Sequence, residues 1–374
     1  MPITHGSLSN SAILLDTIIQ PVGIKNDAHP LVTSEKPRIN LNLNENPYGL
    51  SPLAIKAMNE QFLKGNRYAF PLIAECVKTL AKHHDVKNTQ IAIGSGSGQI
   101  LALTTCLAGQ RGKGDLIAAD PTFKIWQKAA NANGLTINWI PLDKTLSHDL
   151  ARMSEAVSGK TRYIYICNPN NPTGTVVNDA DLRHFIKKHA PNTYIVVDEA
   201  YTEYADTPSV SDMISAFPNL IVTKTFSKIY AMAALRLGYA IAHENTIAHI
   251  HQYQGRPNAG VSNVSLAAAL ASLSDTAHFE KSKKETAKVR AFTEGILREN
   301  GFEYVPSKAN FLFFNVHHLD IDFEAEMSKH GILLSNCDVS GQKYVRVSLG
   351  TMADMQVFAK ALQKISVKPA VVKT

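Results

Sequence analysis

A lysine flanked by small hydroxyl residues marks one place where this chain could do covalent chemistry. Lys228 follows Thr225 and Ser227 just after the apolar segment Leu220–Val222, and Arg236 comes shortly afterwards. A lysine just past a buried strand can form a Schiff base with an aldehyde. The hydroxyls of Thr225 and Ser227 and the fixed cation of Arg236 suit a phosphate. Pyridoxal phosphate carries both groups, but a surface lysine near a helix start would give the same local pattern.

A glycine-rich turn offers a second place to hold an anion. The segment Gln90–Ile93 predicts a short strand, and it is followed by Gly94–Gly98 and then by an apolar helix. Backbone amides in such a turn can approach a phosphate, and the helix start adds partial positive charge. The glycine spacing misses the dinucleotide fingerprint, which needs GxGxxG and an acidic residue downstream. The turn alone predicts a phosphate site without naming the ligand.

Further polar and aromatic side chains follow other predicted strands. Asp198 ends an apolar strand, where a carboxylate could keep a pyridine nitrogen protonated, although a helix cap or an ion pair explains it equally well. Tyr201 and Asn171 could hydrogen-bond the phenolic oxygen of such a ring, and Phe123 could stack on it. Each could also be an ordinary packed or loop residue. One cofactor accounts for all of them together with Lys228, whose amine could also move the proton of the reaction.

Strands and helices alternate along much of the chain, and this order predicts the fold class. Apolar runs that predict strands begin near residues 90, 116, 137, 163, 194, 220 and 238, with helices between most of them. This pattern predicts an α/β fold, with a three-layer α/β/α large domain around a mainly parallel sheet. Ligands of such sheets bind beyond the carboxyl ends of the strands, where the candidate residues lie. A long helix over about 266–299 and strands near 310–316 and 344–349 predict a smaller α+β domain.

These patterns divide the chain into three parts. We predict an N-terminal arm over residues 1–50, a large cofactor-binding domain over 51–275 and a small C-terminal domain over 276–374. The arm prediction depends on short apolar pieces that are broken by Pro, Gly and Asn.

Composition argues against several classes of function. The 374 residues carry a mild net charge of +6, which is spread along the chain and indicates solubility rather than nucleic-acid binding. No apolar run approaches a membrane span, and the 4 cysteines lack a CxxC spacing, as in an intracellular protein with reduced thiols. The first residues lack a signal-peptide pattern, so we expect no export and a cytoplasmic location.

Several motifs together resemble those of a known family. Three of them are Asn171-Pro172-Thr173-Gly174, Asp198-Glu199-Ala200-Tyr201, and Ser227-Lys228 with Arg236. They resemble the signature of fold-type I, class I/II pyridoxal-phosphate aminotransferases. Four further stretches are Leu43–Gly49, Arg67-Tyr68, Ser307–Phe311 and Val345–Val347. They are similar to those of histidinol-phosphate aminotransferases, and the resemblance extends over about residues 40–365.

The resemblance implies roles for particular residues and a homodimeric enzyme. The catalytic residues would be Lys228, Asp198 and Tyr201. Lys228 would bind the cofactor covalently, Asp198 would pair with its ring nitrogen, and Tyr201 would contact its ring oxygen. Further cofactor-binding residues would be Gly96, Ser97, Phe123, Asn171, Thr225 and Arg236, with Tyr68 from the neighbouring subunit. Substrate-binding residues would be Arg346, Asn46 and Asn171.

The expected activity is transfer of an amino group from an amino acid or a histidinol-phosphate-like donor to a 2-oxo acid. Histidinol-phosphate enzymes commonly carry an arginine after the strand that corresponds to Gly331–Leu334, where this chain has Ser335. A second fixed cation for a substrate phosphate is therefore missing, whereas Arg346 alone suits a carboxylate. The alternatives are a pyridoxal-phosphate-dependent decarboxylase on the same scaffold and a non-catalytic protein that binds the cofactor.

Overall fold

A seven-stranded sheet lies at the centre of the structure, a computed structural model that describes residues 38–366. A short strand β1 (Ile39–Asn40) is followed along the chain by the strands of this sheet, which are β2 (Ile91–Gly94), β3 (Gly114–Asp120), β4 (Leu135–Pro141), β5 (Thr161–Cys167), β6 (Tyr194–Asp198), β7 (Leu220–Thr225) and β8 (Gly238–Ala242). Their order across the sheet is β2-β8-β7-β6-β5-β3-β4. The five strands β3 to β7 are all parallel. Strand β8 runs antiparallel to both of its neighbours, β2 and β7. The predicted mainly parallel sheet is confirmed.

Helices cover both faces of this sheet and complete the three predicted layers. One face packs against α1 (Pro52–Phe62), α2 (Phe70–His83), α5 (Leu150–Glu155), α6 (Asp179–His189) and α9 (Asn263–Ser274). The other face packs against α3 (Ser97–Gln110), α4 (Gln127–Ala132) and α8 (Glu244–Gln252). Successive residues of a strand point to opposite faces, so on β5 Ile164 packs with the first group and Tyr163 and Tyr165 pack with the second. A short helix α7 (Thr202–Ala205) follows β6.

A second, antiparallel sheet forms the smaller α+β part. Its strands are β9 (Tyr304–Val305), β10 (Phe311–Asn315), β12 (Ser335–Val339) and β13 (Gln342–Ser348), in the order β12-β13-β10-β9. Three helices accompany it: α10 (Thr276–Glu299), α11 (Phe323–Lys329) and α12 (Met352–Ser366). Buried Phe314 and Phe358 belong to the apolar core that these helices share with the sheet.

The segment that precedes α1 is attached to this smaller part. Strand β1 pairs in parallel with β11 (Ile332–Leu333), and the N–H of Ser348 donates to the carbonyl of Leu41 at 2.8 Å. Leu41 is buried in the same apolar core. Of the arm predicted over residues 1–50, residues 1–37 lie outside the described residues, and the division between domains at residue 275 stays a prediction.

The prediction of one long helix over about 266–299 is wrong. The chain forms two helices, α9 and α10, and Asp275 between them is not helical (φ −89°, ψ 70°). Its carboxylate accepts a hydrogen bond from the N–H of His278 at 3.1 Å and another from the hydroxyl of Ser51. Aspartate competes with the helix for backbone N–H groups and favours the N-cap position. The residues on both sides of Asp275 favour a helix, so the sequence does not reveal the break.

Between residues 38 and 366, no helix combines the length and the apolar character that crossing a membrane requires. The four cysteines are free thiols, and two of them, Cys76 and Cys167, are buried.

Candidate active site

A cavity of about 330 Å³ opens at the carboxyl ends of β5, β6 and β7. Nine of the twelve residues singled out in the sequence line it: Ser97, Phe123, Asn171, Asp198, Tyr201, Thr225, Lys228, Arg236 and Arg346. They come together because neighbouring parallel strands end at the same edge of the sheet. Arg346 reaches the cavity from β13 of the smaller sheet.

Lys228 lies three residues beyond the end of β7, and its side chain lines the cavity. Its Nζ donates to the carbonyl oxygens of Leu43 at 3.1 Å and Asn44 at 3.0 Å. Burial, and after it the positive charge of Arg346, lowers the pKa of Lys228 to about 8. Near physiological pH, a larger fraction of this amine is therefore neutral than in an ordinary lysine. The neutral amine is the form that attacks an aldehyde.

Lys224 is a second buried lysine in the same segment, but it points to the other face of the sheet. Its Nζ lies 3.2 Å from a carboxylate oxygen of Glu199 and 3.0 Å from one of Glu203. Burial alone would lower the pKa of Lys224, but these two carboxylates outweigh burial and raise it. Lys224 therefore stays protonated and ion-paired, and Lys228 has the more readily deprotonated amine of the two.

Asp198 is the last residue of β6, and its side chain is 1% exposed. One carboxylate oxygen accepts from the hydroxyl of Tyr165 at 2.9 Å, and the other accepts from the hydroxyl of Thr223 at 3.1 Å. Burial raises the pKa of Asp198 to about 6, although both hydroxyls act in the opposite direction. Within the described part of the chain it forms no ion pair, so it is a desolvated carboxylate available to a cationic ligand group.

A chain of hydrogen bonds joins four of the cavity side chains. The amide nitrogens of Asn44 and Asn171 lie 3.1 Å and 3.5 Å from the hydroxyl oxygen of Tyr201, respectively. Nη1 of Arg346 donates to the amide oxygen of Asn171 at 2.6 Å. Burial raises the pKa of Tyr201, so its hydroxyl keeps its proton at neutral pH and can donate to a ligand.

The predicted phosphate-binding residues surround the start of α3. Gly96 has a left-handed backbone conformation (φ +75°), and a Cβ built on it would collide with the guanidinium of Arg236. Nη1 of Arg236 also donates to the hydroxyl of Ser227 at 3.3 Å. The glycine, the helix N-terminus and the arginine thus form a cradle in which a side chain at position 96 would occupy space needed by the cation.

Two predicted residues lie away from the cavity. The side chain of Asn46 donates to the carbonyl of Ile229 at 2.7 Å and accepts from the N–H of Tyr48, so it stabilises the loop rather than lining the cavity. Tyr68 is 86% exposed and stacks on Phe70 with ring centroids 5.4 Å apart.

Other residues at the site were missed in the sequence. Asn42 and Asn44 line the cavity, and Asn44 is held by Ser348 through hydrogen bonds to both its N–H and its side chain. Asn44 has φ +54°, a conformation that asparagine tolerates better than most residues. Its place in a polar stretch before a proline was the signal available. Tyr165 and Thr223 lie within apolar strands, where nothing in the pattern distinguishes them from core residues.

Comparison with known proteins gives the family. The model of the family "Aminotransferase class I and II" matches residues 36–362. The chain belongs to the class I and II aminotransferases. This aminotransferase is 37% identical over 331 residues to the histidinol-phosphate aminotransferase of Caldicellulosiruptor saccharolyticus, covering 87% of this chain and 91% of that one. It is thus an enzyme that depends on pyridoxal phosphate and takes a small-molecule amino donor and an oxo-acid acceptor.

Solved structures share the fold of this aminotransferase. The histidinol-phosphate aminotransferase of Sinorhizobium meliloti in complex with pyridoxal 5′-phosphate aligns with a TM-score of 0.80 at 24% identity, covering 89% of this chain and 91% of that one. The L-threonine-O-3-phosphate decarboxylase of Porphyromonas gingivalis aligns with a TM-score of 0.74 at 23% identity, over 87% and 98% of the two chains. At these identities the likeness establishes the fold and not the substrate.

The side chains of this aminotransferase fit the cofactor in three places. The cradle of Gly96 and Arg236 suits a phosphate, and the buried carboxylate of Asp198 suits a protonated pyridine nitrogen. The amine of Lys228 suits the aldehyde. All three lie around one cavity, so a single molecule of pyridoxal phosphate can meet them together.

Proposed function

We propose that this aminotransferase binds pyridoxal phosphate in the 330 Å³ cavity, joined to Lys228 and paired with Asp198. The observation that carries this proposal is that the amine of Lys228 and the carboxylate of Asp198 line the same cavity. The lowered pKa of Lys228 supports its attachment to the aldehyde. The carboxylate of Asp198 has no cationic partner among residues 38–366, which supports its pairing with the ring nitrogen.

The remaining residues hold the cofactor and move protons. Ser97, Thr225 and Arg236 bind the phosphate, while Asn171 and Tyr201 donate hydrogen bonds to the ring oxygen and Phe123 packs on the ring. When bound, pyridoxal phosphate supplies an electron-withdrawing ring that stabilises negative charge at the substrate carbon. Once the amine of the donor has replaced that of Lys228 on the aldehyde carbon, the freed Nζ would move the proton from the substrate carbon to the aldehyde carbon.

Arg346 is the proposed binding residue for the anionic group of the donor. Besides its bond to Asn171, its guanidinium donates to the carbonyl of Asn42, and its Nε is buried without a hydrogen-bond partner in residues 38–366. Burial lowers the pKa of Arg346, and no carboxylate of the described chain pairs with it. A donor carboxylate would satisfy both the charge and the free N–H group.

Ser335 bears on which donor is used. It lies directly opposite Arg346 on the neighbouring strand β12, so the two side chains share one face of the sheet. Arg346 therefore has a short hydroxyl beside it rather than a second cation, which favours a donor with a carboxylate, such as an amino acid. A histidinol-phosphate-like donor is the second candidate, because the relatives carry that name.

A donor panel tests this proposal. Purified enzyme loaded with pyridoxal phosphate is mixed with single amino acids or histidinol phosphate, and conversion to pyridoxamine phosphate is followed in one turnover. We expect amino acids to react, and Ser335→Arg to increase the rate with histidinol phosphate. Asn336→Arg, which adds the same charge on the opposite face of β12, should not do so. Release of carbon dioxide without use of a 2-oxo acid would contradict the assignment of the donor reaction.

We also propose that the enzyme is a homodimer in which Tyr68 reaches the phosphate site of the neighbouring subunit. Large apolar side chains are exposed around α1 and the loop after it: Leu53, Ile55, Phe62, Leu63 and Tyr68. An exposed cluster of this kind is typical of a protein–protein interface, and a second copy is the proposed occupant.

We also propose that the boundary between the large and small domains lies at residue 275, and that the enzyme is cytoplasmic. The separation of the helices at Asp275 and the distribution of the two sheets on either side of it support the boundary. The four free cysteines support a reducing compartment.

A further inference from the structure

Three adjacent strands converge on the carboxylate of Asp198. Tyr165 on β5 and Thr223 on β7 flank β6, and their hydroxyls donate to different oxygens of Asp198 at 2.9 Å and 3.1 Å. Thr223 is the direct register partner of Asp198 on β7. Each side-chain oxygen of the buried carboxylate therefore has one hydroxyl donor that comes from a different strand.

The two hydroxyls are fixed by their surroundings. Tyr165 and Thr223 are fully buried, and the ring of Tyr165 packs against that of Trp126 with centroids 5.0 Å apart. Neither side chain lines the cavity, so neither can touch a ligand there. Any influence on the reaction must pass through Asp198.

Hydrogen bonds to a carboxylate stabilise its ionised form and make it a weaker base. Around Asp198 this matters because burial favours the protonated acid, and no cation of residues 38–366 forms an ion pair with it. If the carboxylate became more basic, the proton shared with a pyridine nitrogen would move from the ring to Asp198. The ring would then lose much of its capacity to withdraw electrons.

We propose that Tyr165 and Thr223 are positioning residues, whose hydroxyls orient the Asp198 carboxylate and keep the shared proton on the ring nitrogen of the cofactor. The inference rests on the proposed pairing of Asp198 with that nitrogen. Losing one hydrogen bond to a charged group changes an equilibrium about tenfold or more. Removal of either hydroxyl should therefore change the ratio of protonated to unprotonated ring nitrogen by that factor.

The chain offers a matched control in Tyr163. It lies on the same strand and face as Tyr165 and is equally buried, but its hydroxyl pairs with that of Thr104 at 2.9 Å. Tyr163→Phe therefore removes a buried hydroxyl from β5 without changing the hydrogen bonds of Asp198.

The test is the ¹⁵N chemical shift of the ring nitrogen in enzyme loaded with ¹⁵N-labelled pyridoxal phosphate. We expect the protonated value in the wild type and in Tyr163→Phe, and a shift toward the unprotonated value in Tyr165→Phe and Thr223→Val. Thr223→Ser, which restores a hydroxyl, should return the wild-type value. The two hydroxyls come from different strands, so Thr223→Val carries the test if Tyr165→Phe does not fold.

The outcomes separate this inference from the proposed function. A wild-type shift in Thr223→Val and Tyr165→Phe, together with an unprotonated ring in Asp198→Asn, would overturn the role of the hydroxyls and leave Asp198 in place. A wild-type shift in Asp198→Asn would overturn both proposals.

Discussion

Two lysines of one short segment differ in the charge that surrounds them. Lys224 faces two carboxylates, whereas the nearest strong influence on Lys228 after burial is the cation Arg346. The same residue type therefore has a raised pKa at one position and a lowered pKa at the other. Lys224 lies within β7 and points away from Thr225, which lines the cavity, whereas Lys228 lies in the loop beyond the strand and reaches the cavity from there.

The first prediction concerns the pH dependence of cofactor attachment. The pKa of Lys228 is lowered to about 8, and only the neutral amine attacks, so the rate should rise with pH and level off above about 8. Cofactor-free protein is mixed with pyridoxal phosphate, and the rate of absorbance increase is measured between about pH 6 and 11, a range that spans both the lowered and the ordinary lysine pKa. A rate that keeps rising toward the ordinary pKa of lysine would contradict the lowered value.

The second prediction concerns Arg346. Arg346→Ala should raise the KM for the amino donor about thirtyfold or more, since removing one partner of a buried, hydrogen-bonded charge pair costs at least about 2 kcal/mol. Cofactor absorbance should be unchanged because Arg346 is assigned to the substrate. Arg346→Lys keeps the positive charge but lacks the planar guanidinium, so its KM should lie between those of the wild type and the alanine variant. An unchanged KM in the alanine variant would refute the assignment.

Residues of the site differed in how well the sequence revealed them. Asp198, Lys228 and Asn171 were recognisable because each follows an apolar strand and interrupts its pattern. Tyr165 was not, since an aromatic residue inside an apolar strand predicts core packing, and only the pairing of β5 with β6 brings its hydroxyl to Asp198. Asn46 was assigned to the substrate, but its side chain is used by the loop itself.

The turn between β2 and α3 brings the backbone of Gly96 close to the side chain of Arg236. Position 96 has a positive φ and faces the guanidinium of Arg236. Gly112 also has a positive φ (+85°), but no atom lies within 4 Å of a Cβ built there. Both glycines adopt a left-handed backbone conformation. Only at Gly96 would an added side chain also collide with another residue.

The third prediction uses this pair. Gly96→Ala should weaken binding of pyridoxal phosphate about tenfold or more, because the new methyl displaces Arg236 from the phosphate site, as expected for loss of one charge-assisted bond. Gly112→Ala should lower stability by only about 1–2 kcal/mol through backbone strain and leave cofactor affinity unchanged. Equilibrium dialysis against the cofactor distinguishes them. Equal affinities in the two variants would count against the phosphate cradle.

Most elements of the large sheet were predictable because its strands are continuous apolar runs with polar ends. The antiparallel direction of β8 was not, since burial on both faces gives the same composition for either direction. The break at Asp275 was also missed, because the residues on both sides of it favour a helix and a single aspartate caps the start of the second one.

At the scale of the whole molecule, the exposed apolar side chains around α1 lie outside any core of the described chain. Phe62 and Leu63 are 75% and 87% exposed, which is costly for a monomer and expected at a subunit interface.

The fourth prediction follows from these two residues. Phe62→Asp with Leu63→Asp should convert the proposed dimer to a monomer in analytical ultracentrifugation, because buried charges without partners oppose association. Loss of Tyr68 from the neighbouring site should weaken cofactor binding in the monomer. Tyr68→Phe is the control, since it should weaken binding and leave the dimer intact. A wild-type enzyme that sediments as a monomer would contradict the proposed interface.

The central claim is that the amine of Lys228 is covalently joined to pyridoxal phosphate in the cavity that Asp198 also lines. Reduction of the loaded enzyme with borohydride, followed by peptide mass spectrometry, tests it most directly. We expect a phosphopyridoxyl mass on the peptide that contains Lys228, and its absence there in Lys228→Ala. A label on Lys224 or on any other lysine of the wild-type enzyme, with Lys228 unmodified, would contradict the claim.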